Sequence, residues 1–190
     1  MKKKLILAIL AATLSTGTMA AGKFTGTSVG LDIETTKYKD KVGGLSSKNS
    51  GSVVLKSDVG FDYGNNFVGV VELRSKLNSA TILKENEDFS GNVKQKDRYS
   101  IGYAQGYRVT SDLMPYVKAE YQNSKLAFLD TESGKGFSKR YSGFGVGVGA
   151  KYAITDSIEM GAEYVRSRLK KGDDKLSGNA FNLGIAYRFK

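Results

Sequence analysis

The chain has 190 residues, with 29 lysines and arginines, 19 acids, and neither cysteine nor histidine; that is enough for one domain. Without cysteine there is no disulfide, no thiolate metal site and no lipid-bearing cysteine. Without histidine the side chain that titrates near neutrality is missing too. The net charge of +10 would suit nucleic acid, but the first twenty residues argue for export and against that partner.

Residues 1–20 read as a cleaved signal peptide. Lys2, Lys3 and Lys4 form a positive start, Leu5 to Leu14 an apolar run, and Thr18-Met19-Ala20 a small-residue cleavage site. The apolar run is about half the ~20 residues that a bilayer-spanning helix needs. Removing these three lysines lowers the net charge to +7, from 29 basic and 19 acidic residues.

From residue 21 onward the pattern is strict alternation, the signature of strands. Eight segments follow in order. The first sets Thr25, Thr27, Val29, Leu31 and Ile33 against Ser28, Gly30, Asp32 and Glu34. In the second, Val53, Leu55, Val59, Phe61 and Tyr63 alternate with Lys56, Asp58 and Asp62. The third has Phe67, Val71, Leu73 and Leu77 against Glu72, Arg74 and Lys76. The fourth runs Tyr99, Ile101, Tyr103, Tyr107 and Val109 against Arg98, Ser100 and Arg108. Val117, Ala119 and Tyr121 oppose Lys118, Glu120 and Gln122 in the fifth. The sixth places Phe144, Val146, Val148, Ala150 and Tyr152 between Gly143, Gly145, Gly147, Gly149 and Lys151. In the seventh Ile158, Met160, Ala162 and Tyr164 face away from Glu159, Gly161 and Glu163. The eighth alternates Phe181, Leu183, Ile185, Tyr187 and Phe189 with Asn182, Gly184, Ala186 and Arg188.

Connections alternate as well. Short turns fall at Gly64-Asn65-Asn66, Thr110 to Leu113 and Thr155-Asp156-Ser157, and long polar links at about 38–50, 79–95, 125–138 and 169–178. Short turns on one side and longer loops on the other define an all-β, closed, up-and-down antiparallel transmembrane β-barrel of eight strands. Residues 21–190 form this one domain, with four outer loops and three periplasmic turns.

Alternation does not say which row faces outward, because a soluble barrel hides its apolar row inside. Four features favour the membrane arrangement. Aromatic residues gather at both strand ends, as in interfacial girdles. The polar row is balanced: Asp32, Glu34, Asp58, Asp62, Glu72, Glu120, Glu159 and Glu163 against Lys56, Arg74, Lys76, Arg98, Arg108, Lys118, Lys151 and Arg188. A filled lumen requires such pairing, since unpaired buried charge is costly. The glycines of the sixth strand sit on the polar row, where long side chains crowd a narrow interior. Finally, Asn182, Gly184, Tyr187 and Phe189 have the spacing of a terminal-strand signal for barrel assembly, which names the barrel-assembly machinery as a partner.

The surplus charge lies in the loops and their flanks. Continuing the apolar rows outward reaches Lys37, Lys125, Arg140, Arg166 and Arg168, a cationic rim facing sideways at the height of lipopolysaccharide phosphates. Arginine can bind phosphate oxygens through two parallel hydrogen bonds. No catalytic, cofactor or metal site emerges. Glu159 and Glu163 share a face but stand ~13 Å apart on a strand, too far for a catalytic pair. Ser100 with Lys151 is a conceivable nucleophile and base that no spacing favours. Gly143 to Gly149 lack the following helix that a phosphate loop needs. Glu85, Glu87 and Asp88 lack ordered calcium-ligand spacing.

Tyr99-Ser100-Ile101-Gly102-Tyr103, Gly106-Tyr107-Arg108, Pro115-Tyr116-Val117, Gly143 to Tyr152, Glu163-Tyr164 with Ser167-Arg168, and Gly184 to Phe189 resemble the Ail/Lom/OmpX-type outer-membrane proteins. These lie within the OmpA-like and opacity-protein barrels, and the likeness covers about the second half of the mature chain. Lys190 follows Phe189, where the family ends on an aromatic residue, and the loops carry no motif that transfers. The resemblance implies a barrel in the outer membrane of a Gram-negative-type cell, with surface adhesion or serum resistance as the roles it suggests; the expectation is a monomer whose basic outer loops serve adhesion, envelope stability or the binding of host surface or matrix molecules. A small porin is the alternative. Strand number separates the two, because an eight-stranded interior is filled by side chains whereas aqueous channels open near sixteen strands.

Overall fold

The computed structural model describes residues 22–40, 50–83, 91–130, 136–172 and 174–189. The signal segment, Lys190, Glu85, Glu87 and Asp88 lie outside them. Among the described residues nine strands are formed: β1 Gly26–Asp40, β2 Ser50–Gly64, β3 Phe67–Lys76, β4 Ala80–Leu83, β5 Gly91–Tyr107, β6 Leu113–Asp130, β7 Gly136–Ala153, β8 Ile158–Lys171 and β9 Asp174–Arg188. Neighbours in sequence pair antiparallel except β3 and β4, β1 pairs β9, and β3 pairs β5 to close the ring. β4 also pairs β5 and continues β3 outward, so nine strands make eight staves. The break between them is held by Asn78, whose Oδ1 accepts a hydrogen bond from the Val53 amide at 2.8 Å.

The register gives the stagger. A row of paired residues leaving β6 at Leu113 passes Tyr152, Met160, Ile185, Leu31, Leu55, Ser75 and Tyr99 and returns to β6 at Asn123, ten residues further on. That offset tilts the strands by roughly 45° in an eight-stranded barrel.

The three short turns are built locally. Asn65 and Asn66 both take positive φ, 49° and 68°, the two-residue hairpin conformation whose twist matches paired strands. In the other two turns a threonine hydroxyl ties the bend. Thr110 Oγ1 accepts from the Leu113 amide at 3.0 Å, and Thr155 Oγ1 from the Ile158 amide at 2.9 Å.

The opposite end differs from the sequence expectation. Strands run well into the segments read as loops: β6 continues to Asp130, β7 begins at Gly136, and β5 begins at Gly91. β8 and β9 are separated only by residues 172 and 173, with Gly172 at φ 57°. Polar sequence misled here because the outward face of a strand beyond the bilayer meets water, so the apolar row disappears from that face while the hydrogen-bond ladder goes on.

Inside the ring the inward row is polar at mid-height and apolar at both ends. Phe24, Val68, Val70, Ala104, Met114, Tyr116 and Ala153 cluster at the short-turn end. Tyr38, Leu126, Tyr141 and Leu169, with Leu176 against them, cluster at the other. The glycines of β7 make room between. A Cβ on Gly149 would stand 2.6 Å from the Tyr116 ring, and one on Gly145 would stand 3.2 Å from Glu120 Cγ.

Candidate functional site

The charged side chains of the inward row interlock in three tiers. Nearest the short turns, Arg188 Nη2 lies 2.9 Å from both Asp58 and Glu159, and Lys151 Nζ lies 2.6 Å and 3.1 Å from the same two carboxylates. β2, β7, β8 and β9 are thereby stitched across the lumen. At mid-height Lys118 Nζ meets Glu72 at 3.1 Å, Glu120 at 3.1 Å and Glu163 at 2.7 Å. Arg74 bridges Glu72, Glu163 and Asp32, and Lys56 reaches Asp32 at 3.0 Å. Tyr116 donates its hydroxyl to Glu163 at 2.9 Å. In the outermost tier Arg98 pairs with Glu34, and Lys76 donates to Gln95 at 2.7 Å. Gln95 in turn donates to Tyr38 and Ser124 at 2.9 and 2.7 Å.

Fourteen of the sixteen charges assigned to the lumen are buried, seven acids and seven bases. The other two, Asp62 and Arg108, pair with each other at 2.8 Å, with side chains 48% and 16% exposed. They belong to the periplasmic mouth. Period two sets them on the inward row, but the row reaches its end there and water meets the pair. At the same mouth Lys23 pairs with Asp112, and its backbone carbonyl accepts from Arg108 at 3.2 Å. The Asp112 partner holds the Lys23 ammonium above its ordinary pKa of 10.5, and Lys23 holds Asp112 below its ordinary 3.8.

Glu159 and Glu163 meet different cations, as their separation along one strand dictates. Lys151 is held between Asp58 and Glu159, so it serves as an ammonium in an ion pair and not as a base for Ser100.

On the outside, Lys37, Arg140, Arg166 and Arg168 are exposed and Lys125 is half-buried. Register brings them together in two groups. Asn179 lies opposite both Arg166 and Lys37, with Arg168 two residues further out on the strand of Arg166. Lys125 and Arg140 face each other directly. The five therefore occupy an arc on β1, β6, β7 and β8, not the full circumference. Of the terminal residues, Asn182 is buried in the lumen, and Gly184 abuts the Asp32 carboxylate. Tyr187 and Phe189 point outward with ring centroids 5.3 Å apart.

The apolar end clusters were not foreseen. Val68 and Val70 break the charged pattern of the inward row, and Phe24 precedes the first strand. The signal available was the pair of inward valines beside a short turn, where a polar residue would have fitted the row.

The fold is similar to that of Ail, the attachment invasion locus protein of Yersinia pestis, with a TM-score of 0.61 and 19% identity over 86% of this chain and 97% of that one. Ail in complex with the heparin analogue sucrose octasulfate matches with a TM-score of 0.61 and 18% identity over the same shares, 86% and 97%. Neisserial surface protein A matches with a TM-score of 0.58 and 18% identity, again over 86% and 97%. No curated protein matches by sequence. The family model described as the outer membrane protein beta-barrel domain matches residues 6–189; this chain belongs to that family, and its place is the Gram-negative outer membrane.

Proposed function

We propose that this protein is a scaffold with a closed lumen that presents its outer strand extensions and loops for surface interaction, in adhesion, envelope stability or the binding of host molecules. The observation that carries the reading is the lumen. Fourteen buried charges, balanced in sign, are interlocked across the barrel between two apolar clusters. Opening a water path through them would separate ion pairs that many groups share. In planar bilayers the purified barrel is expected to give no steady ion conductance. Reproducible open-channel steps proportional to protein added would overturn this and make it a small porin.

The protein acts without catalysis on this reading, since the chain has no histidine or cysteine and Lys151 is engaged by two carboxylates. Loop partners are host surface or matrix molecules. Ail was solved with a heparin analogue, so sulfated glycans belong with matrix proteins in a binding screen. We also propose that the rim of Lys37, Lys125, Arg140, Arg166 and Arg168 holds lipopolysaccharide phosphates and orients the barrel. Replacing all five by Gln should reduce co-purified lipopolysaccharide with the fold intact; equal retention at the same salt concentration would reduce the rim to a solvated edge. Asn182, Gly184, Tyr187 and Phe189 would present the last strand to the assembly machinery, and the barrel would act as a monomer.

A further inference from the structure

The outer wall is not evenly covered. Across β6 and β7 a trough of about 590 Å³ lies open to the lipid. Its floor is short: Val117 pairs with Val148 and Ala119 with Val146. Tyr103 closes one end and Tyr164 the other, where Arg166 also lines the trough. Directly outward of the floor, Tyr121 and Phe144 pack edge to face with centroids 5.3 Å apart and fence that side.

The trough follows the register row Tyr103, Ala119, Val146, Arg166, so it crosses the tilted strands and climbs through the membrane. Its low end is four residues above Tyr107, the last residue of β5, and its high end eight residues above Ile158, the first of β8. Three strand spacings make it about 14 Å long, comparable with much of a lipid acyl chain. Arg166, with Arg168 beyond it, puts positive charge where such a chain would meet its head group.

We infer that this trough seats one acyl chain of an anionic, phosphate-bearing lipid of the outer leaflet, with the Arg166 guanidinium holding the phosphate. The inference rests on the proposed affinity of the rim for lipid phosphate and gives that affinity a place. Apolar burial alone selects nothing inside a bilayer, where the surrounding chains are equally apolar and only packing distinguishes a groove from a flat wall. Selectivity comes from the charged end, and the trough fixes the chain so that the phosphate arrives there with less freedom to lose. A second copy of the barrel would also cover the trough, but two copies would bring Arg166 and its counterpart close together without a counter-ion.

The test is native mass spectrometry of the barrel in detergent micelles with bisphosphorylated lipid A, set against zwitterionic phosphatidylcholine. The parent should retain one lipid A that outlasts phosphatidylcholine. Ala119→Phe with Val146→Phe fills the floor and should abolish that retention, whereas Ile33→Phe on the far wall should leave it unchanged. Ala119→Leu carries the same expectation as the filled variant should the double change prevent folding. Arg166→Gln should weaken retention roughly tenfold, as loss of a charge-assisted hydrogen bond would. If the filled barrel keeps lipid A as the parent does, the seat is refuted while the rim stands. If Arg166→Gln also changes nothing, the rim's part at that residue falls with it. A dimer that disappears on filling would assign the trough to a second copy and overturn the inference.

Discussion

Glu163 accepts from Arg74 at 2.8 Å, Lys118 at 2.7 Å and Tyr116 at 2.9 Å, so two buried cations share this carboxylate, and its single charge is part of the lumen's balance. Glu163→Gln would leave a positive charge in excess where water does not reach it. Removing one partner of a buried pair costs about 3–5 kcal/mol, and urea unfolding followed by gel mobility should register a loss of that size. Asp62→Asn cuts an ion pair that water screens, worth about 1 kcal/mol or less; an equal loss for both variants would mean that the lumen is hydrated throughout. At the mouth, pH acts through Lys23 and Asp112. The depressed Asp112 contributes stability that is complete above its ordinary 3.8 and lost as pH falls through its lowered value. The raised Lys23 contributes below its ordinary 10.5 and loses its part as pH rises through the higher value. NMR titration of Asp112 should therefore give a midpoint below 3.8 that moves up in Lys23→Ala; an unmoved midpoint would show that the pair is not made in solution.

Along β7 the glycines are spaced by need. Gly149 faces Tyr116 so closely that even a methyl group must displace the ring, whereas a Cβ on Gly161 of the neighbouring β8 would find its nearest neighbour at an ordinary 3.6 Å. Gly149→Ala should thus destabilise by about 1–3 kcal/mol, the range for overpacking, and Gly161→Ala by much less. Similar losses at the two sites would contradict the crowding. The same element shows what could be read in advance. Which residues of Gly143 to Tyr152 face inward follows from period two alone, and so does the assignment of Lys151 and Glu159 to the lumen. Which acid meets which base does not follow, because partners such as Lys151 and Asp58 lie on β7 and β2, across the barrel. Strand ends were the other blind spot. Leu126 and Tyr141 lie in segments rich in lysine and serine, and only the strand extensions turn them inward beside Tyr38.

At the scale of the whole barrel the decisive contact is the one that closes it, β3 with β5. Every other principal pairing joins strands adjacent in sequence or the two terminal strands, but this one passes over β4 and sets Leu73 opposite Ile101. Residues directly opposite on antiparallel strands have Cα atoms about 4.5–5.5 Å apart, within the span of a disulfide, and the chain has no cysteine to interfere. Leu73→Cys with Ile101→Cys should oxidise to an intramolecular disulfide in the folded barrel. Leu73→Cys with Gly102→Cys should not, because a one-residue slip sends the second side chain to the other face. The crosslinked barrel should still run faster on a gel unheated than boiled, since a ring with no free edge keeps its hydrogen bonds in detergent. Preferential crosslinking of the slipped pair would mean that β3 meets β5 in another register. The barrel's stagger of ten residues around the ring would then be different, and with it the cross-lumen alignment of Arg74 with Asp32 and Glu163.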